Sequence, residues 1–253
     1  MNDLKHKTTV LDYIARITGA LLLLIIWCST KYLFTISDRY LPGPMLVLTA
    51  FHDIDPSIFV HTAATLARLL LGGLLGIVFG VGVAIAMHRF TLLRQLILPT
   101  VQALRSVPSI ATVPFFLLWF GFEEIGKILL IVMGIGLNVL VGALQILSEI
   151  SDKYRIALNS MGHSINEFPF RVALPIVLER MLPTIRTALS IAFGVVIVAE
   201  LLGSQLGLGY LIQTSRTTYS IHVIFLVTIV LGILNVLLDL SIMLLWRKIV
   251  LWV

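Results

Sequence analysis

The sequence predicts an all-α protein that crosses a membrane several times, and two observations lead to that class. Hydrophobic residues make up 58% of the 253 residues and charged residues 12%, which leaves too little polar surface for a water-soluble domain of this size. The mean hydropathy of +1.03 agrees with this. Apolar runs of about 20 residues, enough to cross a bilayer, recur along the chain. About six spans are predicted, at residues 17–36, 64–87, 98–120, 127–148, 184–202 and 221–246.

Residues 1–63 are expected to form an N-terminal cytoplasmic segment, the first span and an external loop. The first span contains Trp27 and Tyr32 and no small-residue cleavage site follows it, so a retained anchor is predicted rather than a signal peptide. Asp and Pro residues are frequent in residues 37–63, which suits an external loop with an interfacial helix. Cys28 is the single cysteine, so no intramolecular disulfide can form.

Residues 64–253 are predicted to form one membrane core, because no hydrophilic block of domain size and no internal repeat occurs there. The second span carries Gly72, Gly76, Gly80 and Ala84 at four-residue spacing. Small side chains in such a stripe let another helix approach closely. Packing inside the bundle is favoured over a subunit interface as the reason for the stripe.

The third span is predicted to be irregular. Pro99, Pro108 and Pro114 each remove a backbone donor, which a membrane tolerates where neighbours or a water-lined path satisfy the freed groups. Arg105 lies in this span and has two interpretations: its guanidinium contacts an anionic substrate, or it bonds the carbonyls freed near Pro108. Ser109 follows the break and is assigned to the same path.

Two carboxylates are predicted at membrane depth, where a charge costs at least about 2.5 kcal/mol and therefore marks a candidate for function. Glu200, near the outer end of the fifth span, is expected either to gate a pathway or to hold the Gly203–Gly209 loop through its backbone donors. Asp239 is expected to cap a helix or to pair with a basic residue that follows it, Arg247 or Lys248.

Several kinds of chemistry are not expected. Gly121–Lys127 has the spacing of a phosphate-binding loop, but Ile128 replaces the hydroxyl residue that would bind magnesium, and Glu123 and Glu124 would repel phosphate. The six histidines show no metal-ligand spacing, and no hydrolase motif surrounds a serine. Basic residues lie near span ends rather than in a pattern typical of nucleic-acid binding. We therefore predict no catalytic residue, no metal site and no cofactor bound by this chain.

The distribution of Lys and Arg predicts the orientation. With the N-terminus in the cytoplasm, most basic residues fall on the cytoplasmic side. The opposite loops then hold only Arg39, Lys127 and Arg216, with Lys31 and Arg68 near the membrane edge. Because cytoplasmic loops carry an excess of Lys and Arg, both termini are predicted to be cytoplasmic.

The longest polar interruption lies between the fourth and fifth predicted spans. A helix is expected to end at Gly162, where a left-handed cap carries no Cβ strain. Ser164 and Glu167 have the spacing of a capping box for a short second helix. Pro169 is expected to limit that helix to about one turn, and Pro175 lies near the start of the next apolar segment.

This loop resembles the cytoplasmic signature loop of ABC importer permeases, which runs Glu-Ala-Ala, three residues, Gly, nine residues, Ile-x-Leu-Pro. Four residues fall in register with it, namely Ala157, Gly162, Leu174 and Pro175. Val172 replaces Ile, and Ile156 stands where Glu is usual. Three further blocks, Leu98–Ser109, Leu118–Leu130 and Val198–Ile212, look like permeases of the aliphatic-sulfonate, taurine and nitrate importer group.

The resemblance implies the transmembrane domain of a bacterial type I ABC importer in the inner membrane, working by alternating access around one translocation path. Expected partners are two cytoplasmic ATPase subunits that carry ATP and Mg, an external substrate-binding protein and a second permease copy, with a homodimer favoured. The ATPases would dock on the coupling loop, residues 151–175, with these contacts: Ala157, Gly162, Ser164, Glu167, Phe168, Leu174 and Pro175. The path or gate residues would be Arg105, Ser109, Glu200 and Ser204.

The implied substrate is a small oxyanion, with sulfonates such as taurine first and nitrate or bicarbonate next; a cationic or neutral heterocyclic precursor stays an alternative. A secondary transporter driven by an ion gradient is a rival, but it would need mid-membrane carboxylates for the coupling ion and usually two related halves. A noncatalytic membrane scaffold is the other rival, favoured only if the loop binds no ATPase.

Overall fold

The computed structural model describes residues 10–150, 152–162 and 167–249, and every regular element within those ranges is a helix. The α-helices are α1 (Val10–Leu33), α2 (Pro44–Thr49), α3 (Ile58–Arg89), α4 (Thr91–Ser106), α5 (Val113–Phe120), α6 (Glu124–Ser148), α7 (Asp152–Ser160), α8 (Leu174–Arg180), α9 (Leu182–Gly203), α10 (Leu208–Thr217) and α11 (Ile221–Ile249). Among the described residues, α3, α6, α9 and α11 are each long and apolar enough to cross a membrane, and the bent pair α4 and α5 can form a fifth span.

The first of the six predicted spans, residues 17–36, falls on α1, which has 24 residues and ends at Leu33. The helix stops at Leu33 rather than at residue 36, because Thr35 adopts a left-handed conformation with φ of 47°. The N–H of Ile36 then bonds back to the carbonyl of Lys31, which ends the helix.

The loop after α1 is tied down by polar contacts. The ammonium group of Lys31 lies 2.9 Å from Asp38 Oδ1, and the N–H of Gly43 donates to the same oxygen at 3.2 Å. The hydrogen bond from Lys31, and then that from Gly43, hold the pKa of Asp38 below its ordinary value. Helix α2 follows within the segment where an interfacial helix was predicted.

The predicted irregularity of the third span is a bend of 94° between α4 and the segment Ser109–Phe120. It falls at Val107, which is extended because the residue before a proline disfavours the helical region. Pro108 follows the bend, whereas Pro114 sits in the first turn of α5, where its missing N–H is not needed. Pro99 lies inside α4. One proline of the three therefore marks the break.

The glycine stripe packs within the bundle, as predicted. Helix α3 lies against α6 so closely that a Cβ on Gly80 would be 2.6 Å from the carbonyl oxygen of Gly136. A Cβ on Gly72 would be 2.7 Å from the side chain of Ile131. The largest buried apolar cluster is built mainly from α3, α6 and α9, and it fixes these three helices relative to one another.

Candidate functional site

A buried ion-pair network lies at the end of α9, where it joins α3, α6 and α10. Glu200 is 1% exposed. Its Oε1 accepts a hydrogen bond from Nη1 of Arg68 at 2.6 Å, and its Oε2 accepts from the Thr65 hydroxyl and from the N–H of Gly209, both at 3.0 Å. The carboxylate thus lies among donors from two helices, α3 and α10, which offsets the cost of burying its charge.

Arg68 extends the network to a second carboxylate. Its Nε and Nη2 donate to Glu124 at 2.6 and 2.7 Å, which is the bidentate geometry that arginine forms with carboxylates. Nη1 also donates to the carbonyl of Leu206 at 2.8 Å. Lys127, from the same helix as Glu124, donates to that carboxylate at 3.4 Å. One guanidinium therefore connects α3, α6, α9 and the turn before α10.

The turn between α9 and α10 is held from the side of α3. The N–H of Gly207 donates to Nδ1 of His61 at 3.1 Å, and that of Leu208 donates to the Thr65 hydroxyl at 2.9 Å. Gly207 has a φ of 128°, and a Cβ there would lie 2.3 Å from the Glu200 carboxyl carbon. Only glycine fits this position.

One of the two roles expected for Glu200 is observed in the network. Glu200 does hold the glycine-containing loop, through the N–H of Gly209, while a gating role stays a prediction. Arg68, Thr65 and His61 were not predicted as site residues, although a charged residue on an otherwise apolar helix was a usable signal for Arg68. Ser204, predicted at the gate, lies just after α9, and its hydroxyl is buried with no hydrogen-bond partner among the described residues.

Arg105 lies on the exposed side of α4. It borders a cavity of about 270 Å³ between α4, α6 and α9, and its guanidinium has no hydrogen bond or ion pair within the described part of the chain. The other polar residues at this cavity are Asn138, Gln145, Thr184 and Thr187. Ser109 starts the short helical turn after the bend and is not at this cavity. Arg105 is thus placed in a polar, open environment, and Ser109 is not placed beside it.

Asp239 has a different partner from the one expected. It pairs with Arg186 of α9, whose Nε and Nη2 donate to the two carboxylate oxygens. The prediction that Asp239 pairs with Arg247 or Lys248 is wrong, because packing of α11 against α9 brings Arg186 beside it, whereas the basic residues at the end of α11 lie two turns further along the helix.

The predicted coupling loop begins with α7, which contains Ala157, and turns at Gly162, whose φ of 77° confirms the left-handed turn. Ser164 lies outside the described residues. Phe168 is 4% exposed, and its ring stacks on that of His88 at the end of α3, with 6.1 Å between the centroids. This stack connects the loop to α3, the longest helix in the described part of the chain.

The remaining predicted loop residues form one continuous helical segment. Glu167 makes a 2.5 Å ion pair with Arg171 one turn on. Pro169 does not limit the helix to one turn as expected; it begins a π-helical turn, Pro169–Ala173, that runs directly into α8. A proline is tolerated at the start of a helical turn, because the N–H that it lacks would have no hydrogen-bond acceptor within the helix there. Leu174 and Pro175 then form the first turn of α8.

Fold and site together define a class: a polytopic helical subunit of a membrane transport system, with a structured loop at one end of the bundle and a buried charged network at the other. The chain belongs to the family described as binding-protein-dependent transport system inner membrane component, whose model matches residues 76–250. It is therefore a permease of the ABC importer type.

Similar proteins agree with this family. The taurine transport system permease protein TauC of Escherichia coli strain K12 is 30% identical over 237 residues, covering 91% of this chain and 86% of that protein. A protein of Bacillus subtilis strain 168 named as an aliphatic sulfonates transport permease, SsuC, is 32% identical over 233 residues, covering 91% of this chain and 84% of its own. The formylaminopyrimidine transport permease protein ThiX of Halalkalibacterium halodurans is 28% identical over 219 residues, covering 86% of this chain and 87% of that protein.

A solved structure has the same fold. The inward-facing MetNI methionine ABC transporter contains a chain that matches with a TM-score of 0.65 at 21% identity, covering 77% of this chain and 98% of that one. The match supports the type I importer fold that the loop resemblance implied.

Proposed function

We propose that this permease forms half of the translocation path of an ATP-driven importer for a small organic sulfonate or a related oxyanion. The observation that carries the proposal is the similarity over 91% of the chain to two permeases named for taurine and for aliphatic sulfonates. Arg105, a cation without a partner among the described residues at an open polar cavity, suits an anion in transit. The similarity to ThiX favours a second candidate, a neutral formylaminopyrimidine.

The partners in this proposal are a second permease copy, two cytoplasmic ATPase subunits and an external substrate-binding protein. ATP and Mg would bind to the ATPases, which would dock on residues 151–175. Both termini would be cytoplasmic, as the basic residues at the loop side of the bundle favour. The Arg68 and Glu200 network would then lie at the outer end.

Helix α3 supports a mechanism by which the loop is coupled to the outer end. It has 32 residues and is thus about 48 Å long. His88 near one end stacks on Phe168 of the loop, and Arg68 and His61 near the other end hold the turn before α10. Movement of the loop by the ATPases would therefore displace the outer turn through a single packed element.

Uptake by the reconstituted complex in lipid vesicles tests the proposal. Taurine and ethanesulfonate should be imported only when ATP, the ATPase and the binding protein are all present. Arg105→Gln should lower uptake about tenfold, because one charge-assisted contact to the anion is lost, whereas pull-down of the ATPase should be unchanged.

Ser106→Ala is the matched control, since Ser106 is next to Arg105 and its hydroxyl bonds only within its own helix. It should transport as the unmodified chain does. Uptake of formylaminopyrimidine with no uptake of either sulfonate would assign the second candidate instead.

A further inference from the structure

The ion pair between Arg186 and Asp239 borders an open cavity of about 550 Å³ between α9 and α11. The two side chains are 40% and 33% exposed. Ser190 and Asn235 line the same cavity and add neutral polar groups. A pair that served only to join two helices would be expected to pack between them, whereas charges kept at membrane depth beside a cavity are typical of a substrate route.

Hydrogen-bonding capacity remains on both partners. Arg186 uses Nε and Nη2 on Asp239, and its Nη1 group has no partner within the described residues. Each oxygen of Asp239 accepts one hydrogen bond from Arg186 and has a second lone pair. The pair can therefore bind a positive group at the carboxylate and a negative group at the guanidinium without being broken.

Apolar side chains line the same open cavity. Val236 and Leu240 lie there beside Asp239. They can contact a short hydrocarbon segment of a ligand held by the ion pair. A simple anion would be repelled by the carboxylate of Asp239, so a ligand with both charges fits this cavity better.

We propose that this cavity is a transit site for a short zwitterion that carries a sulfonate and a primary ammonium group. Arg186 binds the sulfonate, Asp239 binds the ammonium, and Val236 and Leu240 contact the carbon chain. The assignment rests on the proposed import function and narrows its substrate class from sulfonates in general to amino-sulfonates.

Binding to the full chain, purified with its ATPase subunits in lipid nanodiscs, tests this site without transport and without the binding protein. The probes are taurine, ethanesulfonate and ethylammonium, and the readout is the ligand-dependent rise of the thermal unfolding midpoint. The apparent affinity for taurine should exceed that for ethanesulfonate about tenfold, because taurine adds one charge-assisted contact. Equal affinities for the two sulfonates would overturn the proposal.

The double variant Arg186→Gln with Asp239→Asn keeps a hydrogen-bonding pair between α9 and α11 but removes both charges. It should unfold close to the unmodified midpoint without ligand and lose the preference for taurine. Ser241→Ala, next to the site on α11 with a hydroxyl bonded to its own helix, should keep the preference. A double variant that still prefers taurine would assign the pair to structure alone.

The two proposals fail in different ways. Reconstituted vesicles could import taurine and ethanesulfonate while the nanodisc sample binds the two with equal affinity. That result would support the import function and contradict the zwitterion site. If no sulfonate is imported, the proposed function itself falls.

Discussion

Arg68 shows how one side chain can serve two carboxylates of very different exposure. The side chain of Glu200 is 0% exposed and that of Glu124 is 56% exposed, although both lie 2.6 Å from the same guanidinium. In the interior the pair cannot be replaced by water, so loss of one partner leaves an uncompensated charge. At the surface water screens the pair, and its contribution is small. The two equal distances therefore do not show which ion pair contributes more to stability.

The first prediction compares these two carboxylates. Glu200→Gln should destabilise the protein by about 3 kcal/mol, because the guanidinium loses the buried one of its two charged partners while the amide keeps the shape of the side chain. Glu124→Gln should cost less than about 1 kcal/mol. Thermal unfolding of both purified variants in detergent measures the difference. Equal shifts of the unfolding midpoint would show that the buried ion pair of Glu200 contributes no more to stability than the exposed ion pair of Glu124.

At the level of helices, the sequence predicted contacts where a local pattern carries the information. The small-residue stripe at Gly72, Gly76 and Gly80 predicted close packing within the bundle, and the structure shows it against α6. Partners distant in sequence were not predictable in this way. Arg68 and Glu200 are 132 residues apart, and Asp239 was assigned to nearby basic residues because only the packing of α11 on α9 reveals Arg186.

The second prediction uses two glycines of α3. Gly80→Ala should destabilise the protein by about 1 to 3 kcal/mol, because the added Cβ would be 2.6 Å from a backbone carbonyl of α6. Gly82→Ala meets nothing within 4 Å and should stabilise the helix by about 0.5 to 1 kcal/mol through its higher helix propensity. The two unfolding midpoints should therefore move in opposite directions. A shift of the same sign in both would contradict the packing of α3 on α6.

The third prediction separates backbone conformation from contacts at the loop. A Cβ on Gly162 would meet nothing within 4 Å, but φ is 77°. Gly162→Val should therefore misplace the loop by strain alone and reduce co-purification of the ATPase several-fold, whereas Gly162→Asn should retain most of it, because asparagine tolerates this conformation. Both variants should still insert in the membrane. Undiminished co-purification of the valine variant would show that the ATPase docks elsewhere.

For the whole molecule, hydropathy located five of the six predicted spans, and the remaining one, residues 17–36, falls on α1, which ends at Leu33 just before the left-handed residue Thr35. The described chain places the coupling loop at one end of the bundle and the Glu200 network at the other, with α3 running between them. Which end faces the cytoplasm is predicted by charge, because contacts within the chain are the same in either orientation.

The last prediction tests that orientation. Cys28 is the only cysteine, so Cys28→Ala gives a background in which single cysteines can be placed at either end. Asn159→Cys, exposed on α7, should react with a membrane-impermeant maleimide only after the cells are permeabilised, because basic residues retain that end in the cytoplasm. Thr217→Cys, exposed at the end of α10, should react in intact cells. The opposite labelling pattern would place residues 151–175 outside the cell, where no ATPase could reach them, and the coupling mechanism would fail with the orientation.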